Sequence, residues 1–375
     1  MHSDILIIGA GPAGLAMAGE LAFRNIPYEM IEASDRVAPA WHNHYDRLHL
    51  HTVKQLSHLP HLKFPDEYPD FVPRSQLIEY FDSYVDKFDI KPHFNREVHH
   101  IEKEGDLWRI QFKDEDYWTA KHLVIATGTN RTIVEPSWPG QSDFPGTILH
   151  SRFYKNPKPF LGQTVMVVGM GNTGAELALD LSESGIETYL SVRGEISIVP
   201  RDINGRSIQV TSKMLAKLPF NLGDWLGTQI RKIYFGNLRK YGLNVSDVHP
   251  AKQLRTTGKT PVLDIGTVRA IKAGKIKVVP EIIRFDKSSV ELADGKMLEI
   301  DSIILATGYS ASVDDFLPMA KSILDQNNFP SHVIGQKELK GLYFIGYDGY
   351  KLGGILGTIQ DESFQIAEAI RVEES

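Results

Sequence analysis

The 375-residue chain contains no cysteine. That absence excludes disulfide bonds, thiolate nucleophiles, zinc–thiolate sites and any Cys-x-x-Cys redox pair. No apolar run reaches the roughly 18 residues of a membrane-spanning helix. Nor does a basic region lead into an apolar stretch with a small-residue cleavage site; the chain opens directly into "SDILIIGAGPAGLA". A cytoplasmic protein without stable membrane anchoring is expected. Net charge is only −6, so nucleic acid is not an expected partner. Low-complexity tracts are missing, and 42% apolar with 23% charged residues is the balance of an ordinary globular protein. The length exceeds the roughly 250 to 300 residues at which single cores stop growing, which predicts two domains.

What the chain does have is glycine in two patterned loops. "DILIIGAGPAGLAMAGELAFR" reads as a strand, then Gly9, Gly11 and Gly14 in G-x-G-x-x-G spacing, then a helix. The first glycine permits a tight turn, the second lets backbone amides approach a pyrophosphate, and the third lets helix and strand pack closely. The helix N-terminus then faces the phosphate charge. The next strand, "YEMIEAS", ends in Glu32, placed to accept from a ribose 2′-hydroxyl, as FAD requires. "QTVMVVGMGNTGAELALDLSESGIETYLSVRG" repeats the design with Gly169, Gly171 and Gly174 and a helix from about Thr173. Here Arg193 occupies the region where the first loop has Glu32, and a guanidinium there suits the 2′-phosphate of NADPH.

"HLVIATGTN" (122–130) and "SIILATGYS" (302–310) are each an apolar strand ending in Ala-Thr-Gly, suited to carrying the chain out of one nucleotide domain and into another. The expected fold is therefore α/β, with two Rossmann-like dinucleotide-binding domains and the NADPH domain inserted into the FAD domain. The boundaries read as 1–150 for the first part of the FAD domain, 151–301 for the NADPH domain, and 302–375 for the second FAD part. The C-terminal "GLYFIGYDGYKLGGILGTIQDESFQIAEAI" predicts strand, glycine-rich turn and helix returning to the flavin.

Between the loops lies "FPGTILHSRFY", in which Phe144, Gly146, His150 and Tyr154 meet the pattern F-x-G-x-x-x-H-x-x-x-Y/F. In this the chain resembles the flavin-containing (class B) monooxygenases. "YDRLHLHTVKQLSHLP", "FPDEYPDFVPRSQLIEYFDSYVDKFDI", "TPVLDIGTVRAIKAGKIKVVP" and "ATGYSASV" are similar to the YUCCA group, plant indole-3-pyruvate monooxygenases, and its bacterial relatives. "ATGTNRTIVEP" lacks the Glu-Asn-Ala run usual in the plant enzymes, and "GYSAS" departs as well, differences that bear on substrate rather than on flavin chemistry.

The resemblance implies that NADPH reduces FAD by hydride transfer, that O2 adds at flavin C4a, and that bound NADP+ shelters the resulting (hydro)peroxide. The substrate implied is a small molecule, a 2-oxo acid such as indole-3-pyruvate, undergoing oxidative decarboxylation. Oxygenation of a sulfide or amine is the first alternative, and a noncatalytic flavin-binding redox sensor the second. A homodimer is compatible with either. His150 and Tyr154 are expected to order the linker against the nicotinamide cofactor. Further candidate cofactor-binding residues lie in or beside the loops, strands and turns above: Pro12, Ala13, Ala33, Gln55, Leu56, Thr127, Gly128, Asn172, Thr173, Ser191, Thr307, Gly308, Tyr309 and Gly346.

"WHNHYDRLHLHTVKQLSHLPHL" holds six of the 14 histidines. It contains no His-Glu-x-x-His and no nearby acids at ligand spacing, so no metal is expected. The resemblance implies instead that Trp41 and a strand "LHLHTVKQL" line the flavin, with His51 where related enzymes place an Asn beside C4a. Finally, residues 201–260 carry eleven Lys or Arg against three Asp. Within this insertion, "LPFNLGDWLGTQIRKIYFGNLRKYGL" predicts an amphipathic helix with Leu222, Leu226, Ile230, Ile233 and Leu238 near one stripe. Such an insertion suits a packed cap with a solvated face, a funnel for anionic ligands, or a helix on an anionic membrane.

Overall fold

The computed structural model describes residues 1–203, 205–215, 218–351 and 354–374. In chain order its principal elements are β1 (His2–Ile8), α1 (Pro12–Phe23), β2 (Glu29–Ile31), α2 (Arg74–Phe88), β3 (Val98–Glu104), β4 (Leu107–Phe112) and β5 (Tyr117–Ile125). Then come β6 (Thr147–His150), β7 (Thr164–Val168), α3 (Asn172–Glu183), β8 (Glu187–Ser191), β9 (Ile198–Pro200), α4 (Ile208–Leu215), α5 (Phe220–Phe235) and α6 (Pro250–Thr257). The chain closes with β10 (Val262–Asp264), β11 (Ile276–Val279), β12 (Ser302–Leu305), β13 (Leu342–Phe344) and α7 (Ile355–Glu374).

These elements form two units: residues 1–43, 52–132 and 309–375 make the first, and 44–51 with 133–308 the second. The chain changes unit just after each Ala-Thr-Gly, at 132/133 and 308/309, rather than at 150 and 302. The physical reason is pairing: β12 runs between β7 and β6, so residues 302–305 belong to the second unit's sheet.

In unit 1 the sheet order is β2-β1-β5-β4-β3. One edge of β5 is filled by β1, in parallel. Its other edge is divided, residues 117–120 pairing with β4 antiparallel and 123–125 with β13 parallel. One cluster of its core gathers Leu6, Ile8, Trp108, Phe112, Leu123 and Phe344, all nearly inaccessible to water. At ~25 cal/mol per Å2, burying such side chains contributes about 2 kcal/mol each. Helix α1 is almost wholly buried, which is why it reads Ala- and Leu-rich with no polar face.

Unit 2 holds an all-parallel sheet in the order β11-β8-β7-β12-β6. Val165, Met166 and Val167 of β7 are inaccessible, as a strand covered on both faces requires. The insertion follows β9. Its helix α5 does not bury the predicted stripe: Leu222 is 47% and Ile233 84% exposed, and Leu238 lies beyond the helix. Gly223, Arg231 and Phe235 are buried instead, eight and four residues apart, with half-buried Gly227 between the first two. The cause is close approach, since a Cβ at Gly223 would lie 2.6 Å from the Leu215 carbonyl and one at Gly227 2.3 Å from His249 Nε2. Ala216 and Lys217 of the insertion, like Leu352 and Gly353 of the C-terminal glycine-rich turn, lie outside the described residues.

Candidate cofactor sites in the two units

The two glycine loops are built alike. Gly9 sits at φ +104° and Gly169 at φ +102°, backbone that favours glycine. A Cβ on Gly9 would lie 2.7 Å from the Ala126 carbonyl oxygen, and one on Gly169 2.7 Å from that of Ala306. At the third position a Cβ on Gly14 would meet the Gly9 carbonyl at 1.8 Å, and one on Gly174 the Gly169 carbonyl at 1.9 Å. The alanine of each Ala-Thr-Gly is therefore the floor of its loop.

The middle glycines are different. A Cβ on Gly11 or Gly171 would meet nothing within 4 Å, so the space beside each loop is open. These residues are the N-caps of α1 and α3, extended and with no side-chain cap, and neither helix has an acid in its first turn. Uncapped N–H groups at a positive helix end beside open space suit a pyrophosphate. Both loops thus pass a geometric test for a dinucleotide. Pro12 costs α1 nothing at its first position. Buried Ala13 packs at the same turn, with Gly346 (φ +85°) so close that a Cβ there would be 3.0 Å from the Ala13 Cβ.

The second strands end in contrasting chemistry. Gly9 N–H donates to Ile31 O at 2.8 Å and Gly169 N–H to Ser191 O at 2.9 Å, which puts Ile31 and Ser191 in register. Val192, not Arg193, is then the counterpart of Glu32, and Arg193 matches exposed Ala33. Glu32 is buried, accepting from Ala10 N–H at 2.8 Å and Ser34 N–H at 2.9 Å. Where the first loop fixes a carboxylate the second has valine, with an exposed arginine one residue on. Ser191 turns inward, donating to Pro280 O at 3.0 Å.

Other predicted residues are committed within their units. Asn172 accepts from Leu263 N–H at 2.7 Å and donates to Pro261 O, tying α3 to the β10 segment; Thr173 beside it is half-buried. Thr127 shares a hydrogen bond with Tyr347 at 2.8 Å, and Thr307 donates to Val134 O. A Cβ at Gly128 or Gly308 would enter open space. In unit 1, half-buried Trp41 lies 6.1 Å from the Phe81 ring, exposed Gln55 donates to Asp70, and Leu56 is half-buried in a single turn, as is Tyr309 in its short strand. "LHLHTVKQL" is not a strand: it runs as loop into the turn Lys54–Leu56, because its polar residues serve two different units.

The F-x-G-x-x-x-H-x-x-x-Y residues brace unit 2. Phe144 packs 5.3 Å from Phe285, and a Cβ on Gly146 would strike the Asp301 carbonyl at 2.1 Å. His150 is inaccessible; its Nδ1 accepts from Arg152 N–H at 3.1 Å, so its Nε2 carries the proton and donates to Gly308 O at 3.2 Å. Burial pushes its pKa down, holding the ring neutral. Tyr154 donates to Asp180 Oδ2 at 2.7 Å, and burial, then Asp180, drives its pKa up.

A cluster the sequence reading missed surrounds that bond. Segment 44–51 belongs to unit 2, where Tyr45 donates to Glu176 at 2.8 Å, His51 Nε2 lies 3.1 Å from the same oxygen, and Arg47 reaches Asp180 and Glu183. Burial opposes the Arg47 charge, but the two carboxylates raise its pKa on balance. The legible signal was "ELALDLSE", whose acids at 176, 180 and 183 share one helix face. Glu362 of α7 was also missed: buried, it accepts from Gly346 N–H at 2.7 Å, and burial raises its pKa to about 7.

Residues 32–335 match the family model for flavin-binding monooxygenase-like proteins. The chain belongs to that family. It is 37% identical to an Arabidopsis thaliana protein named "Probable indole-3-pyruvate monooxygenase YUCCA7", over 98% of this chain and 88% of that one. To indole-3-pyruvate monooxygenase YUCCA1 of Oryza sativa subsp. japonica it is 36% identical, over 95% and 88%. A flavin-containing monooxygenase structure from Stenotrophomonas maltophilia shares the fold at TM-score 0.76, with 19% identity over 100% and 99% of the chains. The protein is thus an FAD-dependent NADPH monooxygenase with O2 and a small molecule as substrates, and the noncatalytic sensor reading falls away. No helix among the described residues is long and apolar enough to cross a membrane.

Proposed function

We propose that unit 1 holds FAD at the Gly9–Gly14 loop, that unit 2 holds NADPH at the Gly169–Gly174 loop, and that the substrate is a 2-oxo acid such as indole-3-pyruvate. The observation that carries the substrate class is likeness at 36–37% identity, over nearly the full length, to proteins named as indole-3-pyruvate monooxygenases. When bound, FAD reduced by NADPH supplies the activation of O2.

The chain's own residues bind and orient. The bare N-termini of α1 and α3 receive the pyrophosphates, and Glu32 turns an oxygen lone pair toward a ribose hydroxyl while its backbone bonds fix the carboxylate. In unit 2, valine at 192 removes the charge that would repel a 2′-phosphate, and Arg193 supplies one that attracts it. His150 fixes Gly308 beside the second loop, and Tyr154, Arg47 and His51 fix α3 through Asp180 and Glu176. In this reading His51, His150 and Tyr154 are positioning residues that keep the NADPH cradle in shape.

The balanced reaction converts the 2-oxo acid, O2, NADPH and a proton into the carboxylic acid shorter by one carbon, CO2, water and NADP+. Its test is the purified yellow protein with NADPH and indole-3-pyruvate in air. One indole-3-acetate and one CO2 per NADPH is the expected result. NADPH oxidation that releases only hydrogen peroxide, alongside clean oxygenation of a thioether or amine, would move the substrate to the soft nucleophiles.

A further inference from the structure

We infer that the outward face of α5 is a docking surface that settles, peripherally and reversibly, on an anionic lipid bilayer. The helix is packed in reverse. Gly223, Gly227 and Arg231 take its inner side, so Leu222, Trp225, Leu226 and Ile233 fall on the opposite side of the 3.6-residue period. Leu222, Trp225 and Ile233 are exposed, Trp225 to 58%. Met214 and Leu218 ahead of the helix, and Tyr234 near its end, are exposed as well. Single exposed leucines are ordinary, whereas a continuous apolar stripe marks a surface that something covers.

The charge around the stripe says what covers it. Residues 201–260 carry eleven Lys or Arg against three Asp. Lys232, two turns beyond Trp225 and on its side of the helix, is exposed, as are Arg239 and Lys240 just past the C-terminal end. Arg206 lays its guanidinium against the exposed Met214 sulfur. The acids are each spent on a neighbouring cation. Asp224 is held by Arg255 and His249 at 3.0 Å, Asp202 lies 3.5 Å from Arg201, and Asp247 lies 3.9 Å from Arg239. The excess around the stripe is therefore positive.

That charge selects among occupants. A second copy of the chain would set Lys232, Arg239 and Lys240 against their own images, which repels. An anionic bilayer attracts the same cations and receives the apolar side chains beneath its headgroups. Trp225 and Tyr234 carry the amphipathic rings that favour that boundary. Interior backbone groups of α5 already bond within the helix, so lowering one face among the headgroups strands none of them. At 16 residues the helix is about 24 Å long, and it lies along the surface rather than crossing it.

Sedimentation of the flavin-loaded protein with vesicles tests this. One set is phosphatidylcholine alone, the other phosphatidylcholine with about 30% phosphatidylserine. The anionic vesicles are expected to bind at least about tenfold more tightly, and about 0.5 M salt to remove most of that difference. Ile233→Glu alters a position 84% exposed, so flavin content should stay native while vesicle affinity falls by about tenfold. Lys232→Glu should weaken binding several-fold. Met297→Glu, an exposed apolar position outside the insertion, should leave it unchanged. No binding to anionic vesicles, equal binding to both kinds, native affinity in Ile233→Glu, or an equal loss in Met297→Glu would each overturn the inference. A native dimer that Ile233→Glu splits into monomers, in a protein without vesicle affinity, would overturn it too and give the face to a second copy.

Discussion

Tyr154 closes the F-x-G-x-x-x-H-x-x-x-Y motif by donating its hydroxyl to Asp180, one helical turn beyond Glu176 on α3. The bond joins the motif to the helix that carries the second glycine loop. Tyr154→Phe keeps the ring and loses only the donor, so unit 2 should lose about 1 to 2 kcal/mol, measured by urea unfolding. NADPH affinity should fall while flavin content stays native; a loss of flavin with NADPH binding intact would contradict this placement.

His150 makes the same kind of brace to Gly308. His150→Ala removes a buried ring and both of its hydrogen bonds, and is expected to destabilise by about 3 kcal/mol. Weaker NADPH binding, or more hydrogen peroxide released per NADPH, should accompany it. Unchanged affinity together with unchanged coupling would remove His150 from the cradle.

The loops separate the cofactors by test. Gly14→Ala and Gly174→Ala each force a Cβ against a carbonyl at under 2 Å. The first should yield colourless protein; the second should stay yellow but fail to oxidise NADPH at native concentrations. The reverse pattern would exchange the assignment of the units.

Under the proposed placement of NADPH, coenzyme choice is expected to rest on the register of Val192 with Glu32 and of Arg193 with Ala33. Arg193→Ala should raise the NADPH Kd by about tenfold and leave NADH nearly unaffected. Val192→Glu restores the acid of the first loop and should turn preference toward NADH. Ratios of kcat/KM for the two coenzymes decide it.

Glu362 gives stability a pH dependence. Its folded pKa of about 7 lies above the ordinary glutamate value of 4.5. Between these values the unfolded chain has released a proton that the folded chain keeps, so stability falls as pH rises from about 4.5 to 7 and stays low above. The loss is on the order of 3 kcal/mol. Glu362→Gln retains an acceptor for Gly346 N–H, so it should be more stable than native at pH 8 and similar at pH 4.5. Urea unfolding at the two pH values measures this, and equal differences at both would refute it.

Much of this was legible because glycine spacing and apolar strands are local signals. Both loops, both flanking helices and the C-terminal strand and helix stand where the sequence put them. The Ala-Thr-Gly strands read as points of exit, but their service as loop floors depends on strand neighbours that no local pattern encodes. The α5 stripe fails because Gly223 and Gly227 admit close neighbours, so the inner face runs through these glycines to Arg231 and Phe235 rather than along the leucines. The Arg47 cluster was hidden because residues 44–51 serve a unit whose remaining sequence begins 82 positions later, at 133.

That last excursion bears on how the molecule can be taken apart. Neither unit is an uninterrupted stretch of polypeptide, since the backbone passes between them at 43/44, 51/52, 132/133 and 308/309. A gene fragment ending at 132 would make the first cradle without α7 or Glu362, and one spanning 133–308 would lack Tyr45, Arg47 and His51. A single protease nick cannot liberate either piece whole. Isolating one would take a spliced or circularly permuted gene rather than a truncation.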